Sequence, residues 1–153
     1  METGEPAQHS DLLALDRQLC FALAVASRSV IGAYKPILEP MGLTHPQYLV
    51  MLALWERDPR SLTELAEALR LEPATLSPLV KRLEAAGLVT RQRAAGDERQ
   101  LAVTLTPEGR ALRASAERVP PQVVAALGVD LDELTELHSR LTKIIERIAP
   151  LPA

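Results

Sequence analysis

The chain has 153 residues, of which 47% are hydrophobic and only 3% aromatic, and its formal net charge is -3. That length and apolar content fit one globular domain with a real core and exclude a disordered polymer. A single cysteine, Cys20, excludes an intrachain disulfide framework, and the polar, acidic opening Met1–Ser10 is unlike a secretory leader. No apolar run reads as long enough to cross a bilayer, so the expected location is cytoplasmic.

The first predicted element is a helical stretch from Asp11 to Glu39. Leu12, Leu15, Leu19, Leu23, Ala26 and Val30 lie on one stripe, and Pro36 bends or closes it. Pro40, Gly42 and Thr44 mark a connection. His45–Glu56 reads as the next helix, offering Tyr48, Leu49, Leu52 and Trp55 to the core.

The stretch from Ser61 to Leu105 carries the most information. A short helix has Leu62, Leu65, Ala66 and Leu69 on one face, with Ser61 and Glu64 in the spacing of a capping box. Pro73 suits the first turn of a second helix, whose Leu76, Leu79, Val80, Leu83 and Ala86 face inward and which Gly87 ends in a left-handed cap. Its other face carries Thr75, Ser77, Pro78, Lys81 and Arg82. Small residues there allow close approach to a duplex groove, and the cations reach phosphates or guanine edges. After Gly87 the period changes. Leu88–Arg93 and Leu101–Leu105 read as strands joined by a turn over 94–100, with Arg91 and Arg93 on the first strand, Arg99 near the tip and Asp97 orienting an arginine or fixing the turn. An arginine on such a hairpin can enter a minor groove. Helix, turn, helix and wing form a winged helix-turn-helix, a scaffold that reads duplex DNA. Each cation taken singly also fits a solvated surface; the set on this scaffold points to DNA.

The distribution of charge agrees. Residues 75–118 hold eight Lys/Arg against five Asp/Glu, whereas residues 1–74 hold six against ten and residues 119–153 three against five. Acidic flanks restrict DNA contact to one face.

After the wing, Thr106 caps a helix beginning at Pro107, which Pro120-Pro121 disturbs. Asp130–Ile148 is a last amphipathic helix with Leu131, Leu134, Leu137, Leu141, Ile144 and Ile148 predicted inward. Neither terminal helix has enough chain around it to bury its stripe. The expected solution is a homodimer through 11–39 and 107–149, flanking a DNA-binding region over 45–105 in a single domain spanning 1–153. Its two reading heads would lie about 34 Å apart on a palindromic operator.

This pattern resembles the MarR family of bacterial transcriptional regulators over nearly the whole chain. Within it, Leu15–Glu56 looks similar to the organic hydroperoxide sensors, through Leu19–Leu23 (LCFAL), Tyr34–Pro36 (YKP) and Pro46–Leu49 (PQYL). Thr75–Val89 and the Asp97–Arg99 triplet match the family's recognition helix and wing. The resemblance implies a mostly α fold with a small β wing. It also implies a repressor whose Cys20 reacts with organic hydroperoxide as inducer, and a Tyr34 that serves Cys20 of the other subunit. Tyr34 lies about 21 Å along the same helix from its own Cys20 and cannot reach it. Only a thiolate is strongly nucleophilic, so a hydroxyl donor near sulfur assists. Two positions depart from the subfamily's common tyrosines: Ala24, which cannot donate, and His45, which either keeps a hydrogen bond or is a surface residue at a helix start. With one cysteine, an oxidised Cys20 must meet a low-molecular-weight thiol, a backbone nitrogen or more peroxide.

Two other functions fit less of the chain. One is a regulator of the same family that binds a small aromatic or drug-like ligand, with Cys20 an inert, incidental residue. The other is a cysteine enzyme such as a thiol peroxidase, for which only His9, His45 and His138 offer an imidazole and none sits in a nucleophile motif. No metal-ligand spacing or phosphate-binding glycine loop is present in the sequence, so no metal or cofactor is expected.

Overall fold

The computed structural model describes residues 11–94 and 97–148, and the side chains of 11–93 and 101–148. A 3-10 turn, Leu15–Arg17, precedes α1 (Leu19–Leu38), and a second, Glu39–Met41, follows it. Gly42, at φ 70°, ends this run, and Leu43 N–H returns to the Leu38 carbonyl (3.3 Å). Then come α2 (His45–Glu56), β1 (Arg60–Ser61), α3 (Leu62–Leu69), α4 (Pro73–Ala85), β2 (Val89–Ala94), β3 (Asp97–Leu105), α5 (Pro107–Ala116), α6 (Val119–Leu127) and α7 (Leu131–Arg147). The strands form one antiparallel sheet in the order β1-β3-β2.

The core lies where α2, α3 and α4 meet the sheet. Val50, Met51, Leu54, Leu65, Leu76, Val80, Leu83, Val89 and Val103 are fully or almost fully buried there, and Leu38 reaches it from α1. A complete capping box on Thr44 and Gln47 starts α2, satisfying two amide donors that the helix leaves free.

The head is locked to α5 at one joint. Thr106 Oγ1 accepts from Gly109 N–H (3.0 Å) and donates to the Gly87 carbonyl (2.6 Å). Gly109 lies so close to Leu88 that a Cβ would overlap the Leu88 carbonyl oxygen. Trp55 Nε1 donates to the Gly109 carbonyl (2.9 Å), tying α2 to the same point.

Several elements differ from the sequence expectation. The first helix starts at Leu19, not Asp11, because the chain at Gln18 is extended (φ -80°, ψ 120°). Pro36 lies within its last turn and Gly42 sets the end. On α2 the buried face is Tyr48, Val50, Met51, Ala53 and Leu54, while Leu52 is exposed and Leu49 and Trp55 are half-buried. The helix packs on two sides, so no single apolar stripe marks its core face. Ser61 caps α3 through Glu64 N–H, but the Glu64 carboxylate pairs with Arg57 instead of closing the box. Ser61 and Arg60 also form a third strand that two residues could not announce. The wing turn is shorter than 94–100, since Ala94 already pairs with Asp97. Pro120 lies in the first turn of α6, where its missing N–H costs nothing.

The terminal stripes face out, not in. No residue of α7 is buried, and Leu131, Leu137, Ile144 and Ile148 are exposed. Helix α1 buries only Leu38. By length and composition Leu19–Met41 is also long and apolar enough to cross a membrane, contrary to the sequence reading. Arg28 sits near its middle, where a charge costs about 2.5–3.5 kcal/mol on insertion.

The joint at Gly109 yields a direct test. Gly109→Ala should destabilise the chain by about 1–3 kcal/mol, because backbone must move to admit the methyl group. Urea unfolding would show this as a lower midpoint at unchanged slope.

Candidate nucleic-acid interface and cysteine site

Helix α4 is fastened by one face. Leu76, Leu79, Val80 and Leu83 are buried, which leaves Thr75, Pro78, Lys81 and Arg82 exposed and Ser77 half-buried. These five share the surface that the sequence assigned to the duplex. Helix α3 ends at Arg70, in left-handed conformation (φ 53°), and Leu71 N–H bonds the Ala66 carbonyl (2.9 Å), making the tight link between the two helices.

The wing extends from this head. Arg93 is exposed on β2. Arg91 is turned back instead. Its Nη2 and Nε donate to the Glu84 carboxylate at 3.0 and 3.3 Å, and its backbone N–H donates to Glu84 Oε2 at 3.1 Å. The Arg91 hydrogen bond holds the Glu84 carboxyl below its ordinary range. Glu84 thus pins the start of the wing to the last turn of α4. It was missed in the sequence, although a carboxylate at a helix C-terminus is disfavoured by the dipole and so hints at a partner. Asp58 was missed too. Its Oδ1 accepts from Leu105 N–H (3.2 Å) and its Oδ2 lies 3.6 Å from Arg110 Nη2, clamping the end of β3.

Pairing along β2 and β3 passes from Arg93 opposite Leu101 to Ala94 opposite Asp97, so 98–100 form a bulge. The backbone of Arg99 therefore belongs to β3 rather than to an open turn. The side chains of Asp97 and Arg99 lie outside the described residues.

Cys20 is exposed in the first turn of α1, beside Phe21, which is 39% exposed. Ala24, one turn on, is exposed as well. Tyr34 is near the other end of the helix, about 21 Å away, and the chain does not bring the two together. Tyr34 packs edge-on against His45 (centroids 4.9 Å apart) and lies 5.9 Å from the Tyr48 ring, with His45 and Tyr48 at 6.4 Å. His45 is therefore part of an aromatic cluster rather than a free surface residue. Burial lowers its pKa, and burial followed by the charge on Tyr34 raises that of Tyr48. Among the described residues no group of three or more His, Cys, Asp or Glu is placed to hold a metal ion.

A model described as the MarR family matches residues 43–101. The organic hydroperoxide resistance transcriptional regulator of Bacillus subtilis (strain 168) is 36% identical over 138 residues, which cover 90% of this chain and 94% of the relative. The chain belongs to the MarR family. The HTH-type transcriptional regulator TtmR of Methylorubrum extorquens (strain PA1) is 41% identical over 138 residues, covering 90% of this chain and 71% of TtmR. The solved structure of reduced AbfR bound to DNA superposes with a TM-score of 0.71 at 35% identity, over 87% of this chain and 93% of that one. AbfR is a protein of Staphylococcus epidermidis. This MarR chain is accordingly a winged-helix, DNA-binding transcriptional regulator, similar to an organic hydroperoxide resistance transcriptional regulator.

The Glu84 anchor carries a pH signature. A carboxyl held below its ordinary pKa in the fold contributes stability above that ordinary range, and the contribution is lost as pH falls through the folded-state value. Glu84→Gln should therefore lower the urea midpoint at pH 7, and the gap to the parent chain should close in acid. A gap of the same size at pH 3 would mean that the pair is not the anchor.

Proposed function

We propose that this protein is a homodimeric, cytoplasmic repressor that holds operator DNA while Cys20 is reduced and releases it when an organic hydroperoxide oxidises Cys20. The observation that carries the reading is an exposed lone thiol at the start of a helix whose apolar face is uncovered. The likeness to the Bacillus organic hydroperoxide regulator supports it. Residues 11–39 and 107–149 would pair with those of a second copy, around reading heads built from 45–105. Antiparallel pairing of two α1 helices brings Tyr34 of the partner subunit towards Cys20, where its hydroxyl can stabilise the thiolate.

In the chemical step the thiolate attacks one oxygen of ROOH. An S–O bond forms and the O–O bond breaks; the sulfur keeps the OH group, and the departing alkoxide takes up the proton lost when the thiol ionised and leaves as ROH. The sulfur is oxidised to a sulfenic acid and the peroxide is reduced to an alcohol. A low-molecular-weight thiol then condenses with the sulfenic acid, releasing water and leaving a mixed disulfide. That adduct must be accommodated at the dimer seam, and the spacing of the heads changes with it.

The DNA surface comprises Thr75, Ser77, Pro78, Lys81 and Arg82 on α4, with Arg93, Asp97 and Arg99 on the wing. Arg91 supports this surface through Glu84. A second reading rests on a cavity of about 350 Å³ lined by Tyr48, Leu52, Trp55, Arg113 and Pro120 between α2, α5 and α6. A small aromatic ligand there would act on the same joint with Cys20 incidental.

Three variants test this reading, and the first separates it from the ligand reading. Cys20→Ser should bind the promoter normally in a gel shift and stay bound when cumene hydroperoxide is added, since serine forms no sulfenic acid. Peroxide-driven release from that variant would sink the sensor reading and favour the ligand. Tyr34→Phe should slow oxidation of Cys20 with reduced-state binding kept. Arg99→Ala should weaken operator binding by about 1–3 kcal/mol; full affinity in a folded variant would remove Arg99 from the surface.

A further inference from the structure

Helix α4 changes in hydrogen-bonding character along its length. Its N-cap is Glu72, in extended conformation (φ -65°, ψ 140°), and the Glu72 side chain makes no capping bond. Among the described residues no ion pair engages its carboxylate either, and the residue is exposed. Serine, threonine, aspartate and asparagine favour this position because their short side chains fold back onto the free amides. The longer glutamate leaves its carboxylate unengaged.

The turn that follows is poor in donors. Pro73 has no N–H, and the amides of Thr75 and Leu76 both donate to the Glu72 carbonyl (3.0 and 3.1 Å). Pro78 removes a further donor. It has no N–H to give the Ala74 carbonyl one turn back, and its ring crowds that carbonyl. Ala74 and Pro78 are both exposed, on the side of α4 away from the buried Leu76, Leu79, Val80 and Leu83. The start of α4 therefore offers acceptors: the Glu72 carboxylate, the Ala74 carbonyl and the Thr75 hydroxyl. The cations Lys81 and Arg82 lie about 12 Å further along the helix.

This division fits a duplex in one sense. Phosphates repel a carboxylate, and guanine shows only the acceptors N7 and O6 in the major groove. The groups there that reward an acceptor are the exocyclic amines, N4 of cytosine and N6 of adenine. Adenine sets an N7 acceptor beside its amine, which suits an amide side chain; a carboxylate, with no donor, suits cytosine. In a docked helix-turn-helix, the N-terminal residues of the second helix are the ones that reach base edges.

We propose that Glu72 is a specificity-determining residue that accepts a hydrogen bond from N4 of a cytosine in each operator half-site, while Lys81 and Arg82 supply the attraction to phosphate. This rests on the reading of α4 as the helix that enters the groove. A negative charge at this position also favours the helix dipole; that role would help the fold and leave base preference alone.

The test takes the reduced full-length chain through selection from a duplex library with randomised half-sites. Anisotropy titrations at fixed salt then compare the selected duplex with its single-base changes. The parent chain should select a cytosine at one fixed position of each half-site, and replacing that pair should weaken binding about 5- to 150-fold. Glu72→Ala should bring the four pairs at that position to within about twofold of one another and leave the preferences elsewhere unchanged. Glu72→Gln should move the preference there from cytosine to adenine. The proposal is overturned if the parent selects no cytosine, if Glu72→Ala keeps the parent's preference at every position, or if Glu72→Ala weakens all duplexes by the same factor. The last result, with a lower urea midpoint, would assign Glu72 to the helix dipole. Lys81→Ala and Arg82→Ala check the underlying reading, since each should reduce the salt slope of binding by about one. Unchanged affinity and salt slope in both would remove α4 from the groove and overturn that reading as well.

Discussion

Helix α1 carries a long apolar face and buries only Leu38 of it on its own chain. The whole arrangement turns on this imbalance. Covering a large aliphatic side chain is worth about 1.5–3 kcal/mol, so a contiguous face of several of them is strongly favourable to cover. Helix α7 shows the same imbalance in stronger form, with no buried residue at all. On the proposed dimer these uncovered faces form the seam, and anything that alters packing there acts on the relation between the two copies and not merely on local stability.

The reading head is the opposite case. Its interior among α2, α3, α4 and the sheet is fully buried and wholly apolar. Polar side chains enter only as clamps: Glu84 on Arg91, Asp58 on Leu105 and Arg110, Thr106 on Gly87 and Gly109. Each clamp ties the end of one element to the next. The head should therefore travel as a unit.

Much of this was legible in the sequence because strong local rules were at work. Gly87 as a left-handed cap, Pro73 at a helix start, Thr106 as an N-cap and the change of period after Gly87 all read directly as chain conformation. The apolar stripes of the terminal helices were legible too, but their direction was not. Periodicity says that leucines share a face, and it does not say whether that face meets its own chain or another. The helix start at Leu19 was hidden because the leucine spacing runs smoothly through Gln18, where the backbone turns extended. Long-range polar choices left the weakest trace. Arg91 reads as one more cation of a basic wing, and only the position of Glu84 across the Gly87 turn reveals that its charge is already engaged. His45 was open between two roles until its ring was placed against Tyr34 and Tyr48. For the proposed cysteine site the resemblance named Cys20 and Tyr34 but no geometry, since the distance between them exceeds what one chain can close.

The triple fastening at Thr106 has a mechanical side. Because β3, the end of α4 and the start of α5 are held at one point, and Gly109 admits no slack against Leu88, that joint cannot serve as a hinge. The head and α5 make one stiff arm, and the next break in the helical rod is the Glu117–Arg118 step before α6, which packs beside α1. On the proposed sensing reading, a small angular adjustment at the foot of the arm is amplified along its whole length and re-aims α4.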